Sequence, residues 1–373
     1  MGMPKFYVAC PLGDRTGGPE ALALLVHSMR KRGVEAHLIP MRNFRGRQPH
    51  PEYDYLDYSV VDHMPRHDDA HLVLTEVSPI ESRTQLNRTA DQNIWMLWLS
   101  VNNSPIPAAR YYRADETCCT FWPPGSGGTM TGQPWSTDET ELTGPVPRVR
   151  ESVRRAGGWT PRAFRQLATH WESIRYAEST VRRNINFGTQ SYYGQGFIRT
   201  RLQRDSFVLT DYPRVATVAS QTRESNLVAY NGAKGKYRLP DLRDLLPDVT
   251  FVPIEGMTFD EVCRTLARAT LYVELGNLPG RDRLPREAAN YGTPTVLLAR
   301  GAGYCWDDFP IGERYRIPYT TDWASRMAQV IRDVLADPRQ INEDQASFRE
   351  WVAGEPARYD MALDAWLSRV ATR

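Results

Sequence analysis

The residues best suited to chemistry sit where apolar runs end. After the run at 227–230 the chain reads Tyr230-Asn231-Gly232-Ala233-Lys234-Gly235-Lys236. Only four lysines occur, at 5, 31, 234 and 236, so half of them fall within positions 234–236. Lysine is a compact point charge suited to a diphosphate, and the alternative is a solvated turn. A second cluster leaves an apolar run at Glu274, turns through Gly276 and Gly280, and enters a helix near Pro285. It crowds Glu274, Arg281, Asp282, Arg283, Arg286 and Glu287 into one Gly/Pro-rich turn. A carboxylate early in that helix can take two ribose hydroxyls and the arginines can take phosphate; an internal salt-bridge cluster is the competing reading. Gly301-Ala-Gly-Tyr-Cys305 again follows an apolar run and can pass near a bound nucleotide. At the N-terminus, Gly13, Gly17 and Gly18 separate a strand from a helix, a place where backbone can approach an anion. Their spacing is not GxGxxG, so a dinucleotide fingerprint is weak.

The negatives narrow the chemistry. There is no GxSxG elbow, Walker loop, HExxH or DxD. The run His63-x3-His67-x3-His71 is interrupted by Pro65 and argues against a metal site. Five cysteines, an odd number with no CxxC spacing, support neither a disulfide framework nor zinc. With 41% hydrophobic and 24% charged residues the composition is globular. No apolar run reaches the roughly 18 residues of a membrane span, and no signal peptide is evident. A reduced, cytoplasmic protein is expected, in the host cytoplasm if a phage encodes it.

The elements that must position these residues follow an α/β alternation. A strand at 6–9, a helix opening on Pro19 and a strand at 35–39 make a βαβ start, with further strands expected at 71–75 and 94–99. A second alternation is expected from about 206, with strands at 207–210, 227–230, 250–254, 271–275 and 295–299. Helices are expected at 161–183, 240–246, 258–269, 284–291, 322–336, 340–353 and 357–371. These point to two Rossmann-like domains facing a cleft, residues 1–200 and 201–356, with a Gly/Pro-rich insertion near 104–165. The helix 357–373, whose Met361, Leu363, Trp366, Leu367 and Val370 form an apolar stripe, is expected to cross back to the first domain.

Charge is uneven. Residues 148–204 hold twelve arginines against three carboxylates, a net of +9 in a chain whose total is +2. Such a block faces a polyanion or an acidic surface of the same protein.

Six segments, GGPEALALLVHSMRKRGVEAHL, NIWMLWLSVNN, GTQSYYGQGF, LVAYNGAKG, FVPIEGMTFDEV and YVELGNLPGRDRLPREAANYGTPTV, occur in this order. Together they resemble bacterial and phage glycosyltransferases of the GT-B fold, family 4-like enzymes of the kind found in surface-polysaccharide gene clusters. The resemblance covers most of the chain except roughly 104–165. It implies an acceptor-binding N-terminal domain and a C-terminal domain that binds a nucleotide-sugar. Lys234 and Lys236 would hold the diphosphate and Glu287 the ribose. Retaining members often carry two glutamates separated by seven residues; here Pro279 stands at that position, and Glu274 is the candidate replacement.

The reading is therefore a glycosyltransferase that moves a sugar from a nucleotide-sugar to a hydroxyl acceptor. Lys234, Arg281 and Arg283 are the candidates that neutralise the leaving diphosphate. Gly17, Gly18, Asn231, Lys236, Glu274, Arg286, Glu287 and Gly301 are the candidate donor contacts. No cofactor or metal is required, since the nucleotide-sugar is a co-substrate. The acceptor is a glycan or a hydroxylated base in phage DNA, the latter held through Arg154, Arg155, Arg162, Arg165, Arg182 and Arg183, with Trp122, Trp135, Trp159 and Trp171 available to stack. The alternative is a GT-B protein that binds nucleotide-sugar without turnover.

Overall fold

The structure is a computed structural model that describes residues 4–66, 69–77, 79–110, 112, 161–218 and 222–372, of which 110 and 161–167 are described in backbone alone. Arg154, Arg155, Trp122, Trp135 and Trp159, with most of the expected insertion, lie outside the described residues.

Two parallel sheets, each with helices between its strands, organise the chain. The first runs β2-β1-β3-β4-β5-β6, built from β1 (Lys5–Cys10), β2 (Ala36–Pro40), β3 (Ala70–Thr75), β4 (Ile94–Trp98), β5 (Asn186–Thr189) and β6 (Phe207–Val208). The second runs β11-β10-β9-β7-β8, from β7 (Glu224–Asn231), β8 (Thr250–Ile254), β9 (Ala269–Glu274), β10 (Thr295–Ala299) and β11 (Arg316–Pro318). Every pairing is parallel. Parallel strands are covered on both faces, which is why β3, β4, β9 and β10 are unbroken buried runs rather than alternating ones.

In each sheet the chain goes from the first strand to an edge and then returns to the other side. The order therefore reverses between β1 and β3, and between β7 and β9. Loops at the carboxyl ends of strands flanking such a reversal diverge and leave a crevice, where open α/β sheets bind ligands.

The described residues form two compact units that meet in the chain between Asp211 and Tyr212, with residues from Asp360 onward in the first. The expectation that a second alternation opens with a strand at 207–210 is corrected. Phe207 pairs with Gly188 of β5 and closes the first sheet. Gly188 permits this, because a Cβ there would stand 2.6 Å from the Phe207 ring. The span 340–353 is two helices, Pro338–Asp344 and Ala346–Ala353, rather than one.

The last helix, Glu355–Ala371, serves both units. In the first, Trp366 stacks on Phe207 at 4.9 Å and meets Phe6 and Trp95 edge-on at 5.6 and 5.2 Å. Arg32 grips the same helix through Asp360 at 2.8 Å and Asp364 at 2.5 Å. In the second, Glu355 is wholly buried.

Candidate functional site

The carboxyl ends of β7 and β9 bring Lys234, Asp282, Glu274 and Gly276 together. Asn231 ends β7, and its side-chain oxygen accepts from the Lys234 amide at 3.2 Å, turning the chain into the single helical turn Gly232–Gly235. That turn carries Lys234 to Asp282, with Nζ 2.6 Å from Oδ1. Gly276, just beyond β9, is needed for the approach: a Cβ there would meet the Lys234 Cβ at 2.5 Å. Glu274 is fully buried, accepting from the Tyr272 hydroxyl at 2.7 Å and the Gly276 amide at 3.0 Å. Burial raises its carboxyl pKa, Lys234 pulls it back down, and Asp282 pushes it up again.

Asp282 is the residue that sequence reasoning saw but gave no role. One oxygen holds Lys234; the other, Oδ2, is buried and accepts no hydrogen bond among the described residues. A buried carboxylate oxygen left in that state costs free energy until a donor reaches it. No local signal in the sequence marks it, because Asp282 stands among five other charged residues.

Arg281 and Arg286 are placed differently from expectation. Glu355 takes Arg281 Nη2 at 2.5 Å and Arg286 Nη1 at 3.0 Å, and all three side chains are between 0% and 2% exposed. Arg281 also lies 4.2 Å over the Trp351 ring. Their guanidinium groups are thus engaged inside the protein, as in the competing salt-bridge reading. What they do is hold the loop. Arg286 donates to the carbonyls of Arg281 at 2.7 Å and Asp282 at 3.2 Å, which fixes the backbone that aims Asp282 at Lys234.

The remaining second-unit candidates border this cluster. Arg283 and Glu287 are half-buried at the start of the helix Leu284–Asn290. Burial raises the Tyr272 phenol, and the charges of Glu274, Asp282 and Glu287 raise it further. Lys236 is half-exposed and 3.8 Å from Glu255. Gly301 is structural: with φ +55°, it lets Leu278 O come where a Cβ would stand 2.1 Å away. Leu278 O in turn accepts from Ala302 at 2.7 Å, tying the loop after β9 to the loop after β10.

At the reversal in the first sheet, the helix Gly17–Lys31 begins directly after the loop that leaves β1. Gly17 is exposed, and a Cβ on Gly18 would make only ordinary contact with Leu99 at 3.7 Å, so space does not demand glycine there. Across the reversal, just past β3, lies Glu76, which the sequence did not flag. It is buried and accepts from Leu99 N at 2.9 Å, Ser100 N at 3.0 Å and Ser100 Oγ at 2.9 Å. Burial pushes its carboxyl up to about 7, against the pull of those donors.

Of the six arginines expected at an acceptor, Arg154 and Arg155 are outside the described residues and Arg162 and Arg165 are described in backbone alone. Arg183 is bound to Asp91 at 2.5 Å and to the Leu86 carbonyl, so it is engaged within its own unit. Arg182 is exposed. Among the described residues no three His, Cys, Asp or Glu side chains gather in a way that could hold a metal ion. No described helix is long and apolar enough to cross a membrane.

No protein-family model matches the chain, and no curated protein matches it. Solved structures do. Sucrose-phosphate synthase from Thermosynechococcus elongatus superposes with a TM-score of 0.59 at 12% identity, covering 100% of both chains. The glycotransferase of kitacinnamycin gives 0.49 at 11% identity over 98% of this chain and 99% of its own. The β-glucosyltransferase of phage T4 gives 0.49 at 8% identity, with the same coverages. The first of these likenesses, with the two doubly wound parallel sheets, shows that the chain has the GT-B fold.

Proposed function

We propose that the protein is a glycosyltransferase that takes its sugar from a nucleotide-sugar. The observation that carries this reading is the Lys234–Asp282 pair over buried Glu274 at the reversal point of the second sheet, with Asp282 Oδ2 unsatisfied. A lysine ammonium there offsets the charge that grows on a leaving diphosphate. Such electrostatic stabilisation is worth about 2–4 kcal/mol per group. Lys236 and Arg283 add positive charge from the loops after β7 and β9, and Glu287, in the first helical turn, accepts from ribose hydroxyls. Asp282 Oδ2 suits a sugar hydroxyl, since a donor reaching it removes the cost of its burial. The charge on the leaving group is carried by these side chains, so no metal or further cofactor enters the reading. A sugar phosphate is also named as the product of a solved structure of similar fold, sucrose-phosphate synthase.

The acceptor is a hydroxyl on a glycan or on a hydroxylated DNA base. For DNA there is one specific observation. Trp171 (57% exposed), Arg175 and Arg182 are spaced by four and seven residues along and just past the helix Pro161–Val181, so they share one solvent face, flanked by Glu172 and Glu178. An aromatic ring interleaved with cations is a surface that strands and bases can use.

The test is turnover. Nucleotide-sugars are supplied singly and in mixtures, with a glycan mixture or duplex DNA carrying hydroxymethylated bases, and released nucleoside diphosphate is measured. Release dependent on acceptor supports the enzyme. Binding without release supports a nucleotide-sugar-binding protein, and neither binding nor release refutes both.

A further inference from the structure

The first unit contains a second cationic recess that none of the above uses. It is a cavity of about 450 Å³ between the loop after β2, the segment 62–64 and the short helix Arg83–Leu86. Among the described residues, Arg45, His63 and Arg88 line it, with Asp62 as the one carboxylate and Thr84 as a hydroxyl donor. Most arginines in the described structure are engaged: Arg15 with Glu52, Arg30 with Asp57, Arg32 with Asp360 and Asp364, Arg183 with Asp91. Arg45 and Arg88 are not; neither guanidinium has an ion pair or hydrogen bond with any described residue. The recess is held open by backbone: Arg42 N donates to Glu81 O at 3.1 Å, fixing the Arg45 loop beside the helix that precedes Arg88. Thr89 Oγ1 donates to Gln85 O at 2.8 Å, steadying the turn that carries Arg88.

We infer that this recess binds the phosphate group of a small phosphorylated ligand. Two guanidinium groups around one concavity, opposed among the described lining residues by a single carboxylate, repel one another until an anion enters. Arginine forks fit the oxygens of phosphate with paired hydrogen bonds, and Thr84 supplies a further donor. The walls are mixed, with Met64 and Gln85 both buried beneath the charged rim, which suits a compact molecule carrying one phosphate. A concave site of this size takes a sugar phosphate, whereas a nucleic acid backbone needs an extended face. The ligand is a second one, because the donor's diphosphate is assigned to Lys234 in the other unit. To that extent the inference rests on the proposed function and extends it.

The test is calorimetric titration of the whole chain with a hexose 6-phosphate, with the free hexose, with inorganic phosphate and with a 20-base-pair duplex. The double variant Arg45→Gln/Arg88→Gln is compared with Arg243→Gln/Arg326→Gln, which removes the same charge from exposed positions of the second unit. All four side chains are exposed, so unchanged melting is expected and is checked. The expected result is saturable binding of the hexose phosphate, competed by inorganic phosphate and absent for free hexose. It should weaken at least about tenfold in the first double variant, the loss of one charge-assisted hydrogen bond or more, and stay unchanged in the second. No binding of either phosphate, or equal binding by both double variants, overturns the inference. So does duplex binding that the first double variant abolishes and neither phosphate displaces, which would make the face a nucleic acid surface. Nucleoside diphosphate binding is measured in parallel. Its presence without hexose phosphate binding leaves the donor site standing and removes this one, and the reverse outcome removes the donor site alone.

Discussion

Glu355→Gln tests whether Arg281 and Arg286 are supports for the donor loop. The substitution keeps shape and removes the carboxylate charge shared by two guanidinium groups. Both arginines and Glu355 are between 0% and 2% exposed, so the positive charges left behind have no water to turn to. Breaking a buried pair from one side costs about 3–5 kcal/mol. For a unit of roughly 150 residues, at about 3 °C per kcal/mol, the melting midpoint of the second unit should fall by about 10–15 °C. The control is Glu224→Gln, the same change in the half-exposed pair with Arg268, where a loss of at most about 1 kcal/mol is expected. The assay is differential scanning calorimetry of both variants beside the wild type, with nucleoside diphosphate titrated below the lower midpoint. Because Arg286 fixes the carbonyls of residues 281 and 282, the Glu355 variant should also bind nucleotide more weakly while still folded. A midpoint lowered no more than in the Glu224 control would refute the reasoning and return Arg281 and Arg286 to the list of ligand contacts.

Glu76→Gln should change the pH dependence of stability. The folded carboxyl titrates at about 7 and the unfolded one near 4.5, so between these values the native state holds a proton that the unfolded chain has released. Stability should therefore fall as pH rises through that window, by up to about 3 kcal/mol from this group, and urea midpoints at pH 4.5 to 7.5 should show a flatter profile in the variant. Gly301→Ala should cost at least about 1–3 kcal/mol from positive φ alone, more with the clash on Leu278 O; thermal melts that match the wild type would contradict this. Trp366→Ala, which empties the contact with Phe6, Trp95 and Phe207, should cost about 3–5 kcal/mol in denaturant unfolding of the first unit.

Much of the fold was legible because parallel strands buried on both faces are continuous apolar runs. The strands at 250–254 and 295–299 were read with the bounds observed, and β7 and β9 to within three residues at either end. β5 was not legible: Asn-Phe-Gly-Thr has no strand signature alone, and it is a strand through its pairing with β4 and, at Gly188 and Thr189, with β6. For the same reason β6 was assigned to the wrong block. At the site, Lys234 and Asn231 were legible as polar residues at a strand end. The burial of Arg281 and Arg286 was not, because their partner Glu355 is 69 to 74 residues away in sequence. Glu76 was silent because its role depends on the turn after β4, 23 to 24 residues on. The charge count at 148–204 drew attention to that stretch and away from Arg45 and Arg88, which lie in a part of the chain whose net charge is negative.

The donor site itself is tested most directly by titrating a panel of nucleoside diphosphates into the wild type and into Lys234→Met. Methionine fills similar space beside Gly276, so the variant removes the charge with little loss of packing. At least one nucleoside diphosphate should bind the wild type, and its affinity should fall about 10- to 150-fold in the variant, the loss of one charge-assisted contact. Nucleotide binding that is undiminished in Lys234→Met, or no binding of any nucleoside diphosphate by the wild type, would contradict the assignment.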